Sequence, residues 1–293
     1  MIGIPLSARY MILSASGFAF MGACVKAASH RGIPVLEILA ARAFISACLS
    51  YIDIKRKKIS PWGNNKRLLT LRGLIGTLAL ICVFYAVTVL PLAEATLLQY
   101  LYPVFTTVLA FVILKEDIQR SALVCIVLSL TGLLIMAQPA FLFGAFTGTY
   151  EPLPFLGVVS ALVGALGSGT AYVVVRRLSK TEDASVIIFY FPFIALPVSC
   201  LLLWDDFVLP TGISWLLLLM VGLFTQVAQY GLTKAMQTEY AGKATAYSYV
   251  QVIFSALLGW MVFNEIPTIG TVFGAVFITG GALINVLHQK RDY

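Results

Sequence analysis

Two short stretches of this chain carry hydrogen-bonding side chains at spacings that bring them together. Thr96, Tyr100 and Pro103 recur at i, i+4 and i+7 and so share one face of a helix, and Thr245 and Tyr249 repeat the first two on a second helix. Gln99 and Tyr102 extend the first stretch; Tyr247, Ser248 and Gln251 extend the second. Thr77 and Tyr85, then Gln226, Gln229 and Tyr230, add similar groups on two further segments. Such side chains inside otherwise apolar helices either bond one helix to another or line a cavity for a polar solute. Each residue alone fits the first reading. Concentrated on the same segments, the set favours the second: recognition of a planar or zwitterionic small molecule by ring faces and hydrogen bonds.

Ionisable groups inside apolar segments are few, and each is a functional candidate because charge is costly at membrane depth. Arg42 fits two roles, binding an anionic group in a cavity or pairing with a neighbouring helix. Glu37 precedes it by five positions, about 140° around a helix, so the two form no i,i+4 pair. Near the interface Glu37 reads as a solvated carboxylate, with proton shuttling or cation binding as the other reading. Glu94, beside Pro91, suits a helix N-terminus, and the same place would be a cavity mouth able to pass a proton. Lys26 reads as a snorkelling side chain, and Glu116 and Glu265 as boundary residues. Pro103 frees the carbonyl of Gln99, for ligand contact or as a hinge. Val252 stands at the matching position of the second stretch, which predicts that the two stretches move differently there.

Bond-making chemistry has little to work with. The two histidines, His30 and His288, fall at loops or ends, and the carboxylates are scattered. The five cysteines, Cys24, Cys48, Cys82, Cys125 and Cys200, lie in apolar segments without CxxC spacing, so neither a disulfide framework nor a zinc site is expected, and no cofactor. There is no usable HExxH, GxSxG or Walker segment. A lipid-modifying membrane enzyme is therefore the second reading and a channel the third.

The elements that hold these residues are membrane spans. Hydrophobic residues make up 60% of the 293 positions and charged ones 11%, against about 25% charged in soluble domains. At about 20 apolar residues per crossing, the chain reads as an all-α membrane protein with ten spans, near 8–28, 34–53, 68–88, 92–114, 120–138, 155–175, 184–204, 213–233, 242–263 and 267–287. The first segment reads as a retained span rather than a cleaved signal. Lys55, Arg56, Lys57, Lys58, Lys66, Arg67 and Arg72, between or just inside spans two and three, mark that loop as cytoplasmic. Alternation then leaves only Lys26, Arg31 and Arg42 of the 20 basic residues off the cytoplasmic side. Both termini are expected inside, with a bacterial inner membrane as the setting. The +7 net charge serves orientation; the expected partners are membrane lipids and a small-molecule substrate, with possible proton coupling, and no nucleic acid.

The second half repeats the first. An offset of 149 residues pairs Ala95 with Ala244, Thr96 with Thr245, Tyr100 with Tyr249, Phe105 with Phe254, Leu109 with Leu258 and Glu116 with Glu265. It also pairs Gly73 with Gly222, Ala79 with Ala228 and Gly132 with Gly281, while Lys26 meets Arg176 at an offset nearer 150. The repeats are read as 1–138 and 152–293 joined by a linker at 139–151. Five spans duplicated in one chain must insert in opposite orientations.

The segments LPLAEATLLQYLYPVFTTVLAFVILKE (90–116) and AGKATAYSYVQVIFSALLGWMVFNEIP (241–267), each followed by a helix with a Gly-rich packing segment, resemble the EamA-type branch of the drug/metabolite transporter superfamily. The resemblance covers nearly the whole chain. It implies ten helices as two inverted five-helix repeats with both termini inside, and alternating access around a cavity lined largely by spans three, four, eight and nine. It also implies a solute among amino acids, nucleosides, cofactors and their precursors, or drugs.

Overall fold

Proline and polar caps start the helices where the apolar runs begin. Pro5, Pro34 and Pro154 stand just before the helices Leu6–Ser29 (α1), Val35–Arg56 (α2) and Phe155–Leu178 (α7). Asn65 caps Lys66–Val89 (α3) by accepting from the Leu68 amide, and Asp183 caps Ala184–Leu202 (α8) by accepting from the Ser185 amide. The computed structural model describes residues 5–90, 92–137, 153–203, 207–264 and 269–288; the side chains of 87, 88, 92–94, 137 and 288 lie outside that description. The linker 139–151, Glu265 and the Glu94 carboxylate thus fall outside the described residues.

The described elements are helical throughout. Among the described residues nine helical segments are long and apolar enough to cross a membrane, and Arg120–Ala137 (α6) is a shorter apolar helix. This is a multi-pass membrane protein. The span expected at 92–114 is interrupted: Leu92–Gln99 (α4) and Tyr102–Leu109 (α5) meet at a turn, and Ala110–Leu114 winds as a π-helix. After Ile213–Thr238 (α9), the span expected at 242–263 is interrupted as well. Ala241–Ala246 (α10) passes through a 3₁₀ turn at Tyr247–Tyr249 into Val250–Phe263 (α11), and Ile269–His288 (α12) completes the bundle. Both stretches thus depart from regular helix, although only the first carries a proline, Pro103. Ser248 Oγ donates to the Thr245 carbonyl at 2.6 Å, offering the backbone a local alternative to the helix ladder without proline. Both interrupted segments end alike. Lys115 and Asn264, 149 residues apart, take left-handed backbone at φ 54° and 55°, a conformation non-glycine residues seldom adopt.

Helices pair across the two halves of the sequence: α1 with α9, α3 with α7, α2 with α8, and α6 with α12. Glycines let the backbones touch. A Cβ on Gly231 would stand 2.6 Å from the Tyr10 carbonyl oxygen, and one on Gly132 2.6 Å from that of Gly274. Small residues at such crossings are how membrane helices gain packing without a hydrophobic driving force.

Apolar packing differs at the two ends of the bundle. At the end rich in Lys and Arg, one cluster joins Met11, Ile54, Leu69, Ala110, Val173, Ile187, Met236 and Tyr247, so every helix from α1 to α10 except α4 and α6 contributes directly or through its flanking turn. At the other end the packing divides. Ala28, Ile38 and Val221 tie α1, α2 and α9 together, while Ala86, Ala95 and Ala161 tie α3, α4 and α7.

Polar clamps reinforce the basic end. Arg176 Nε donates to Glu116 Oε1 at 2.7 Å and its Nη1 to the Met236 carbonyl at 2.5 Å, while Glu116 Oε2 accepts from the Ala241 amide at 2.8 Å. One buried carboxylate thereby fastens α7, α9 and α10 to the end of the α5 segment. Glu116, expected as a boundary residue, is also this clamp's centre. Lys57 bridges Asp53 and Asp183 at 2.8 and 2.9 Å. Desolvation pushes the Asp183 carboxyl up, but bonds from Lys57 and Ser185 outweigh it and hold it below its ordinary value. Glu182 accepts from the Asn64 and Asn65 amides at the start of α3.

Candidate solute cavity

Against the single cluster of the basic end, which gives Met11 and Leu232 to its wall, lies a cavity of about 200 Å³. Its wall takes residues from both halves. The interruption between α4 and α5 delivers Gln99, Tyr100 and Tyr102, and the 3₁₀ turn delivers Ser248 and Gln251 opposite them. Irregular backbone is tolerated at membrane depth where it lines a cavity, and discontinuous helices supply such sites. The Tyr102 hydroxyl donates to Ser248 Oγ at 2.5 Å and the Tyr249 hydroxyl to the Tyr100 carbonyl at 2.8 Å, so the two interruptions are bonded to each other. The Tyr100 ring stacks on Tyr249 at 5.7 Å between centroids, and Tyr102 meets Tyr172 edge-on at 5.3 Å.

Two guanidinium groups enter this space, Arg42 from α2 and Arg72 from α3. Both lie over the Phe191 ring, at 5.7 and 4.7 Å from its centroid. Arg72 lies about a turn and a half inside its helix and does not snorkel outward. Its Nη1 sits where a Cβ on Gly76, one turn further in, would be 2.5 Å away, and its Nη2 reaches Gln229 Oε1 at 3.5 Å. An arginine at the centre of a span costs about 2.5–3.5 kcal/mol in insertion measurements; Arg42, well inside its span, and Arg72, nearer a helix end, are offset here by the Phe191 ring face and by Gln229 rather than by a carboxylate.

The structure places seven of the sequence-derived candidates on the cavity wall: Arg42, Gln99, Tyr100, Tyr102, Gln229, Ser248 and Gln251. The others lie elsewhere. Thr77 is buried and bonds back to the Gly73 carbonyl at 2.8 Å. Gln226 accepts from Ser46 at 2.7 Å and donates to Ser50 at 2.9 Å, which ties α2 to α9. Tyr85 and Tyr230 are 44% and 37% exposed on the outside of the bundle. Thr96 is half-buried off the wall, Tyr247 sits in the apolar floor, and Tyr249 backs Tyr100. Glu37 is buried off this wall, accepting from the Val208 amide at 3.0 Å beside an apolar groove.

Sequence reasoning missed Arg72, Tyr172 and Phe191. Arg72 was counted with the cytoplasmic basic loop; the glycine four residues on, leaving room for its head group, was the available signal. Tyr172 and Phe191 sit in two of the spans where the internal repeat is least visible, and nothing marks Phe191 among its apolar neighbours. Among the described residues no three His, Cys, Asp or Glu gather as a metal site would require.

Residues 6–138 and 155–287 each match the EamA-like transporter family. The chain belongs to this family. It is 31% identical over 268 residues to the pseudopaline exporter of Pseudomonas aeruginosa, covering 91% of each chain. It is 31% identical over 295 residues to solute carrier family 35 member G1 of Homo sapiens, covering 96% of this chain and 80% of that one. To the S-adenosylmethionine uptake transporter of Rickettsia prowazekii it is 25% identical over 222 residues, covering 76% and 72%. A crystal structure of a protein 22% identical superposes with a TM-score of 0.80 over 98% of this chain and 97% of the other, a likeness of fold.

Proposed function

We propose that the chain is an alternating-access carrier for a small polar metabolite, built as ten spans in two inverted five-helix repeats, 1–138 and 152–293, with both termini cytoplasmic in a bacterial inner membrane. The observation that carries this reading is the one-sided packing around a polar cavity: a single apolar floor toward the basic end, and two separate clusters toward the other. If the basic end is cytoplasmic, as positive-inside asymmetry supports, this is the outward-facing state. Exchanging the divided and the joined end gives the inward-facing state, which inverted repeats make possible. The family match and the names of its relatives support transport over catalysis, and those names include both an exporter and an uptake carrier. Direction then follows the solute gradient.

The test is flux into vesicles containing the purified protein, over amino acids, nucleosides and organic acids, beside labelling of a single cysteine at Ser248 with an impermeant thiol reagent. Solute-dependent flux, with labelling from the face away from the basic end that fades when solute is added, is the expected result. No flux for any solute, with labelling unchanged, would remove the carrier reading. The Val208 amide holds Glu37 away from the cavity, which speaks against its acting as the proton carrier; Glu37→Gln is expected to leave flux and its pH dependence unchanged.

A further inference from the structure

Arg42 and Arg72 are 9% and 3% exposed, and neither forms an ion pair with a carboxylate among the described residues. Nε of both and Nη1 of Arg72 have no hydrogen-bond partner there. Among the described residues the one bond they make, from Arg72 to Gln229, lies at the long limit of 3.5 Å. Among the described residues no carboxylate stands on the cavity wall. Arg176 shows how this chain treats an arginine that is structural: it sits on Glu116 at 2.7 Å and on a main-chain carbonyl. Two like charges facing one aromatic ring, with their forks unfilled, form the opposite arrangement.

We infer that the solute is a doubly charged organic anion, a dicarboxylate or a phosphate monoester, whose acidic groups are held by Arg42 and Arg72 together. The inference rests on the carrier reading and names the chemistry of that same cavity. A guanidinium presents paired N–H donors that match carboxylate and phosphate oxygens equally. Two of them on one wall are matched by two negative charges, so that the solute and its site together form a neutral unit. The rings of Tyr100 and Tyr102, with the amides of Gln99 and Gln251, are left for the rest of the molecule, so a bare inorganic ion would leave most of the wall unused. Gly76 is the positioning residue. A methyl there would displace the Arg72 head group and would also come within 3.0 Å of the Phe191 ring.

The experiment is thermal unfolding of the purified full-length protein in detergent at constant ionic strength. Succinate, 2-oxoglutarate and glycerol 3-phosphate are the probes, with leucine, lysine and adenosine as controls. At least one anion is expected to raise Tm saturably while the controls do not, and comparing the first two probes with the third separates carboxylate from phosphate. Arg42→Gln and Arg72→Gln should each weaken that response at least tenfold without lowering the ligand-free Tm, since each removes an unanswered charge. Gly76→Ala should weaken it with both charges kept. The inference is overturned if no anion shifts Tm, if only the controls do, or if the variants melt lower without ligand yet respond to the anion as the wild type does. Flux separates the two readings. Leucine transport without any anion response would leave a carrier and remove the anion site, whereas anion binding without flux would do the reverse.

Discussion

Tyr249 acts through Tyr100, holding its carbonyl by a hydrogen bond and its ring by stacking. Tyr249→Phe keeps the stack and loses the bond, which in membrane proteins is worth about 0.6–2 kcal/mol. A destabilisation of that order, read as a lowered Tm, with reduced vesicle flux is expected. The Tyr100→Phe/Tyr249→Phe pair should lower flux further while still inserting, whereas Tyr85→Phe and Tyr230→Phe, on the outer wall, should leave it unchanged. Residue type in the sequence shows what a side chain can bond, not what it meets. Gln226 and Gln229 are three positions apart on α9 and look alike; one is occupied by Ser46 and Ser50, the other faces Arg72 across the cavity. Arg72 carried the opposite difficulty. Its charge served a sound count of which side is basic, and that count hid a head group folded inward along its own helix.

The joint between α5, α7, α9 and α10 depends on Glu116. Removing one partner of a buried, hydrogen-bonded pair costs about 3–5 kcal/mol, because the other charge is left unanswered. Glu116→Gln is therefore expected to loosen the basic end, seen as labelling of a Ser248 cysteine from that side, and the exchange Glu116→Arg/Arg176→Glu should restore part of the closure. Packing makes its own contrast on α1. A Cβ at Gly17 would lie 3.0 Å from the Ala228 amide nitrogen, whereas one at Gly22 meets nothing within 4 Å. Gly17→Val should sharply reduce the yield of monodisperse protein and Gly22→Val should not. Helix existence was legible from apolar run length, and the α4/α5 interruption from Pro103. The matching interruption at Tyr247–Tyr249 was not, since it follows from a serine side chain competing for backbone bonds.

Across the whole molecule, matched Thr, Tyr, Gly and Glu residues were legible at a constant offset, but not which helices pack against each other. The principal pairs, α1–α9, α2–α8, α3–α7 and α6–α12, all join the first half of the chain to the second. Either half expressed alone should be degraded, while the two co-expressed as separate chains should accumulate and restore flux, read by membrane protein levels and vesicle assay. The same pairing sets a schedule for biogenesis. The ribosome completes α1 at Ser29 and its partner α9 only at Thr238, an interval of roughly 10–40 s at about 5–20 residues per second. Through that interval the first half waits in the lipid with its glycine faces and two arginines unmatched, so assembly is post-insertional by necessity, and whatever shelters a half-made chain in the bilayer has its longest task on this one.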